Sequence, residues 1–296
     1  MGRQLFEAVI DGILSGGVYA LMAVGLTLIF GVLDIINIAQ GILVVLAAYL
    51  SYVLSVHLHI DLFVGLLITV PAMFVIGVAI QLLFIRPLRG RERVSMSLLA
   101  SYAVAIILEG ILYILFGTST VQLNAWYVQA GIKIIGGTTP YYLPDIYLMG
   151  FGLAVVLVAA IYLFLYRTTL GRSVRATMQD QTAARLIGID VNRVAALTFG
   201  IGVAATAAGG MVFGALNSFN ANSGYDLISR LLAIIILGGL GSIGGALAAA
   251  VFMITVESLV DIWNPSWSVV VFYAALVLVL SFRPTGLFGR KEARAQ

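Results

Sequence analysis

Apolar residues fill eight stretches of the chain, at about 9–32, 39–56, 62–85, 95–117, 146–166, 194–216, 228–260 and 268–282. Most of these are near or above the roughly 20 residues that a helix needs to cross a bilayer. The pattern predicts an all-α fold, a polytopic transmembrane helical bundle. The seventh stretch is too long for one span. At its centre Gly238, Gly239, Leu240, Gly241, Ser242, Ile243, Gly244 and Gly245 stand in a row. Glycine on this scale breaks or bends a helix, so 228–242 and 246–260 are expected to be separate segments and the spans to number eight or nine.

Composition sharpens this picture. The chain is 61% hydrophobic and only 10% charged, against about 45–50% and about 25% in soluble domains. So few charges cannot coat a soluble fold of this size, whereas a lipid-facing surface needs none. Cysteine is absent, which excludes a disulfide frame, a thiolate nucleophile and a cysteine metal site. His57 and His59 are the only histidines. They are two apart with no third ligand in view and read as interfacial residues. Glu7 and Asp11 interrupt the positive region that a cleaved signal would carry, and the apolar run continues past Leu28 without a clear cleavage site, so it reads as a retained span.

Lysine and arginine set the orientation. Arg86, Arg89, Arg91 and Arg93 follow the third stretch, and Arg167, Arg172, Arg175, Arg185 and Arg193 follow the fifth. Arg283, Arg290, Lys291 and Arg294 follow the last. These three segments are expected on the cytoplasmic side. The stretches 118–145, 217–227 and 261–267 carry a single base, Lys133, together with Asp145, Asp226 and Asp261, and are expected outside. The scheme requires 228–260 to cross twice and places the N-terminus outside, with Arg3 as the one contrary sign.

Asp34 falls between the first two apolar stretches, and Glu109 and Glu257 fall inside theirs. A charge at mid-bilayer costs at least about 2.5–3.5 kcal/mol, so such residues face a partner or a wet cavity. Asp34, Asn37 and Gln40 are spaced by three, followed by Gly41. On a helix they would share one face. They form either a polar stripe on a pathway or a short cytoplasmic connection. Glu109 and Glu257 lack polar neighbours and read as hydrogen-bonding partners between helices. The stretch from Leu28 to Asp34 leading through Gly41 into Ala47 parallels Ile235 to Gly241 leading through Gly245 into Ala248. Paired glycine-interrupted stretches point to a transport site built from broken helices in two related halves.

The 167–193 segment holds no Gly or Pro between Arg172 and Ile187. Val174, Met178, Leu186 and Ile187, with Ala183 between, predict a short amphipathic helix. Ala183, Ala184 and Gly188 would let another surface approach closely, which favours a protein partner over a lipid surface. No Gly-x-x-x-x-Gly-Lys-Ser/Thr phosphate loop occurs, so the chain is not expected to hydrolyse ATP. No Gly-x-Ser-x-Gly or His-Glu-x-x-His motif appears either. The bases sit in separate short loops, which argues against nucleic-acid binding.

Several segments together resemble one known family over about Gly12 to Gly289. They are Gly17 to Leu21 with Gly25 to Gly31; Asn37-Ile38-Ala39-Gln40-Gly41; Arg175-Ala176, Asp180, Ala183-Ala184 and Leu186 to Ile189; Leu237 to Gly245; and Arg283 to Gly289. The chain is similar to the permease subunits of branched-chain amino acid ABC importers, specifically the shorter of the two permease types. It departs at Ile38, where the family usually has an aromatic, and at Gln40, where histidine is frequent.

The resemblance implies one permease domain over 1–296, with a cytoplasmic coupling loop at about 167–193 and a cytoplasmic tail at 283–296. It implies a second homologous permease, two cytoplasmic ATPases that carry ATP and Mg, and a soluble binding protein delivering a branched-chain or related small amino acid at a bacterial or archaeal inner membrane. No cofactor or metal is expected in the chain itself, and no catalytic residue. The pathway is expected at Asp34, Asn37, Gln40, Gly41, Gly238, Gly239, Gly241, Ser242, Gly244 and Gly245. ATPase coupling is expected at Gly171, Arg172, Arg175, Ala176, Asp180, Ala183, Ala184, Arg185 and Gly188.

Two other readings compete. One is a proton- or ion-coupled carrier using Asp34, Glu109 or Glu257; such a carrier needs no docking helix. The other is a membrane-embedded enzyme, for which no nucleophile–base pair is visible.

Overall fold

The computed structural model describes residues 2–88, 93–135, 141–283 and 285–289. Arg89, Arg91, Arg290, Lys291 and Arg294, on which part of the orientation argument rests, lie outside these. The described chain is helical almost throughout, in the order α1 (Gly2–Leu33), α2 (Gln40–Leu58), α3 (Leu62–Ile80), α4 (Arg93–Phe116), α5 (Trp126–Gln129), α6 (Asp145–Arg167), α7 (Thr169–Gln179), α8 (Gln181–Leu186), α9 (Val191–Leu216), α10 (Ser223–Gly238), α11 (Ile243–Asp261) and α12 (Pro265–Phe282). Among the described residues, 8 helices are long and apolar enough to cross a membrane. The ninth large helix, α10, has 16 residues. At 1.5 Å per residue it spans about 24 Å, short of the bilayer core.

The long seventh stretch divides as its glycines predict. α10 ends at Gly238, Gly239 and Gly241 take positive φ of 96° and 78°, and the Ser242 hydroxyl caps α11 by accepting the Gly245 amide at 3.1 Å. Elsewhere the caps also follow sequence. Asp190 accepts the Asn192 and Arg193 amides at the start of α9. Asn264 and Pro265 begin α12. α3 carries Pro71 in its interior and runs on into a π-helical turn, Gln81–Ile85.

α1 and α9 are the buried centre of the bundle. They cross where the Gly25 and Gly202 backbones touch, since a Cβ on either would strike the other's carbonyl. Gly12 and Gly16 of α1 face Thr255 and Val251 of α11, and Gly77 of α3 faces Gly200 and Val203 of α9. These are small-residue seams that let helix backbones approach. The packing is reciprocal: α11 runs antiparallel along α1 as α3 runs antiparallel along α9, and α2 meets α10 between them.

This reciprocity reveals a repeat different from the one the glycine runs predict. α1, α2 and α3 correspond to α9, α10 and α11. In each half a central helix ends, an irregular segment turns back into the bundle, and the next helix starts inside it. Residues 34–39 turn back so far that Gln40 Nε2 donates to the Gly202 carbonyl at 3.4 Å, level with Gly25. Residues 217–222 do the same from the opposite end. Phe219 exchanges backbone bonds with Val121 at 2.9 Å and packs edge-on to Tyr49. The matching sequences are Asn37-Ile-Ala-Gln-Gly41 and Asn220-Ala-Asn-Ser-Gly224. The 238–245 run belongs to a later part of its half.

The C-terminal end of α1 lies against α7 and α8, where Gln181 Nε2 donates to the Val32 carbonyl at 2.8 Å. Its N-terminus is therefore at the face opposite the 167–193 segment, as the charge pattern requires. Arg3 loses its contrary weight because it pairs with Glu7 at 2.8 Å. The other face carries a short antiparallel hairpin that the sequence reading had not anticipated, β1 (Gly131–Ile135) and β2 (Tyr141–Pro144). Beside it the buried Tyr127 hydroxyl donates to Asp61 Oδ2 at 2.9 Å. Burial first, and then the Asp61 carboxylate, raise that phenol well above its ordinary pKa.

Candidate functional site

The predicted residues fall into two groups, at mid-bundle and at the end bearing the basic loops. Asp34 is at the second of these. It takes a left-handed φ of 55°, where its amide still bonds back to the Phe30 carbonyl, and its side chain is exposed. Asp tolerates this conformation better than most residues. The segment after it is not helical, so Asp34 does not share a face with Asn37 and Gln40. Those two are fully buried, and Asn37 Nδ2 donates to Gln40 Oε1 at 3.0 Å. They tie the turned-back segment to α9 rather than line an open surface. Gly41 is where α2 meets α10: its Cα faces the Gly224 carbonyl and Ile228 so closely that no side chain fits.

The glycine segment has one tight side and one open side. Gly238 meets Gly245 backbone to backbone. Gly239 meets Phe288 and Gly289 of the tail, whose Leu287 and Phe288 amides donate to the Leu237 and Gly238 carbonyls at 2.7 and 3.2 Å. The tail thus satisfies carbonyls that the end of α10 leaves free. Gly241, Ser242 and Gly244 instead face a cavity of about 1860 Å³ whose wall also includes Asp34, Arg175 and Asp180.

The predicted coupling helix is two helices. The Asp180 carboxylate accepts the Thr182 and Ala183 amides at 2.7 and 3.0 Å, starting α8 and ending α7. The break separates the apolar residues that one amphipathic helix would have aligned. Val174 is buried and Met178 packs on Gly31, but Leu186 and Ile187 point out, 83% and 75% exposed. Gly171 packs on the Phe164 and Leu165 backbone, and Gly188 turns the chain after α8 with φ 85°. Arg172, Ala183 and Arg185 are exposed, Ala176 is half-buried and Ala184 is buried. Arg175 lies over the Tyr166 ring at 4.4 Å.

Sequence reasoning missed the polar face at the start of α10. α10 begins at Ser223, inside the bundle, so its first two turns carry Tyr225, Asp226 and Ser229 exposed on one face, with Asn222 just before them. Tyr225 donates to Glu109 of α4 at 2.7 Å. Arg230 reaches Asp226 at 2.9 Å and both Glu257 oxygens of α11 at 2.6 Å, with its guanidinium 5.6 Å from the Phe272 ring. The Arg230 and Glu257 side chains are 15% and 14% exposed, whereas Asp226 is 60% exposed. One guanidinium thus serves two carboxylates, and the surplus negative charge is open at Asp226. The signal available was Arg230 itself, a base within an apolar run that also holds Glu257. Glu109 and Glu257 serve as the interhelical bonding partners expected of them. Among the described residues no cluster of His, Asp and Glu could hold a metal ion.

A family profile described as branched-chain amino acid transport system / permease component matches residues 8–280. The high-affinity branched-chain amino acid transport system permease protein LivH of Salmonella typhimurium is 29% identical, covering 98% of this chain and 96% of its own. The LivM permease protein of the same organism is 31% identical over 46% of this chain and 32% of its own. Among solved structures, a chain of PsaBC from Streptococcus pneumoniae in complex with Fab covers 94% of this chain and 92% of its own, with 13% identity and a TM-score of 0.49.

Proposed function

The chain belongs to the permease-component family of branched-chain amino acid transport systems, and from that premise we propose that it is the permease subunit of an ATP-driven importer for branched-chain or related small amino acids. The observation that carries the pathway is the face of α10. Asn222, just before the short helix, and Tyr225, Asp226 and Ser229 on it are exposed where the helix starts inside the bundle, and in a membrane-spanning bundle such a polar face requires a wet cavity or a protein partner. We assign this face, with Glu109, to the wall of the path, completed by a second permease subunit. The open charge at Asp226 suits the ammonium of an amino acid. This moves the proposed pathway from Asn37 and Gln40, which are buried, to the exposed face of α10 in the second half.

Leu186 and Ile187 form the knob that would seat in a cytoplasmic ATPase. From α8 the route inward is short: Gln181 holds Val32, Met178 packs on Gly31, and Asp34 is the turn where α1 gives way to the segment bonded to α9. In this scheme closure of two ATPases, which bind ATP and Mg, pushes on α7 and α8 and displaces the turned-back segments. A binding protein would deliver substrate at the hairpin face of a bacterial or archaeal inner membrane. The carrier reading loses ground because Glu109 and Glu257 already have partners in the chain.

The deciding experiment is gentle extraction from the native membrane and identification of what co-purifies. A second hydrophobic permease with an ATPase is expected; a clean homo-oligomer without ATPase would overturn the assignment. Uptake into vesicles at constant ATP should survive a protonophore.

Two variants follow. Leu186→Ser with Ile187→Ser should lower substrate-stimulated ATPase activity of the reconstituted complex more than tenfold, since two exposed apolar anchors are lost at about 1.5–3 kcal/mol each. Membrane insertion should be unchanged, and full coupling in this variant would remove α8 as the contact. Gly241→Leu should block transport but leave assembly intact. Its φ of 78° and open surroundings put a strained side chain into the cavity without striking the fold. Normal uptake would separate the break from the pathway.

A further inference from the structure

The large cavity extends beyond the glycine segment. It runs as a groove between α6 and α11, from the basic-loop face up to Gly17 and Val251, with α1 as its floor. Its deep walls are apolar: Phe151, Ala154, Val155, Val158, Leu247 and Val251. At its mouth stands Arg175, over Tyr166, which stacks on Tyr162 at 4.3 Å. Arg175 Nε is buried and has no hydrogen-bond partner. A buried donor lacking an acceptor is costly. Neither carboxylate at the mouth meets this need: Asp180 is bonded to the α8 amides, and Asp34 is exposed and forms no ion pair among the described residues.

We propose that this groove holds one glycerophospholipid of the leaflet on the basic-loop side, with its phosphate on Arg175 and an acyl chain along α6 and α11. Three observations fix the occupant. An apolar trough at membrane depth is filled by hydrocarbon in preference to water. A guanidinium and two tyrosines at its rim sit where basic pockets between spans take lipid headgroups. The mouth also carries Asp34, exposed and negative, so a headgroup bearing a primary ammonium as well as a phosphate matches better than an anionic one. The inference does not rest on the transport reading, although the end of the cavity at Gly241 is shared with it.

The test is native mass spectrometry of the full-length chain, delipidated in mild detergent and offered equal amounts of palmitoyl-oleoyl phosphatidylethanolamine and phosphatidylglycerol. One retained lipid per chain is expected, with the ethanolamine lipid in excess. Excess soluble glycerophosphoethanolamine should not displace it, which separates a lipid from a free phosphate ester. Arg175→Ala should reduce retention about tenfold, the value of one charge-assisted contact, and Arg175→Lys should recover part of it. Val155→Trp, at an exposed position on the wall, should displace the lipid without touching the headgroup. Equal retention in wild type, Arg175→Ala and Val155→Trp would overturn the proposal, and preference for phosphatidylglycerol would overturn the headgroup assignment. The chain has no cysteine, so Val155→Cys also gives a clean probe in the assembled complex. Its labelling by a bilayer-soluble maleimide supports a lipid-filled groove, and its cross-linking to another subunit refutes it.

Discussion

Arg230→Met is expected to destabilise the chain by about 3–5 kcal/mol, the usual cost of removing one member of a buried ion pair. The cause is the partner left behind. Glu257 is bonded through both oxygens to Arg230 and is mostly buried against α10. Without the guanidinium it is a charge inside the bundle with no counter-ion. The double variant Arg230→Met with Glu257→Gln should recover most of the loss, because replacing both partners leaves no unpaired charge. Thermal unfolding of the purified chains in one detergent reads both effects. A double variant no more stable than the single one would show that the pair is not the unit of stability. Asp226→Asn should cost little, since its carboxylate is open and its tie to Arg230 is the weaker of the two. On the proposed pathway it should instead slow uptake. This separates the two carboxylates of one guanidinium into a structural and a functional one.

The spans were legible because each is long, apolar and bounded by charge or glycine. The break between α10 and α11 was legible for the same reason, since glycines at 238–245 leave no continuous helix. What sequence periodicity concealed is the pair of turned-back segments. Asp34, Asn37 and Gln40 are spaced as on a helix, yet the chain at Asp34 is left-handed and the residues after it are irregular. The start of α10 was hidden by its own polarity. Asn222 to Leu227 reads as part of an outer loop when depth is judged from residue type alone, and contact with Gly41 and Ile42 places it inside. α7 and α8 were merged because neither Gly nor Pro stands between them. The Asp180 side chain divides them by offering the backbone a competing acceptor. Helix contacts pair α1, α2 and α3 with α9, α10 and α11, a correspondence that the glycine runs do not mark and that the asparagines ahead of Gly41 and Gly224 do.

That correspondence gives the second large effect. Gly41→Val is expected to cost about 3 kcal/mol, at the upper end of overpacking penalties, because the new side chain has no direction in which to yield. Its Cβ would strike the Gly224 carbonyl, and Ile228 closes the other side at 2.8 Å. The reciprocal contact is looser. A Cβ on Gly224 would stand 3.0 Å from the Ile42 Cα, so Gly224→Ala should cost less. Gly244→Ala is the control: nothing lies within 4 Å of its Cβ position, and it sits in the first turn of α11. There alanine should be neutral or stabilising by about 0.5–1 kcal/mol. Melting temperatures should rise from Gly41→Val through Gly224→Ala to Gly244→Ala. A Gly41→Val chain as stable as Gly244→Ala would mean that α2 and α10 separate readily, and the crossing could not hold the two turned-back segments in register. If the order holds, Gly41→Ala becomes the informative variant for transport. It tightens the contact between α2 and α10, so uptake should fall further than stability does, because the proposed cycle requires these segments to move past each other.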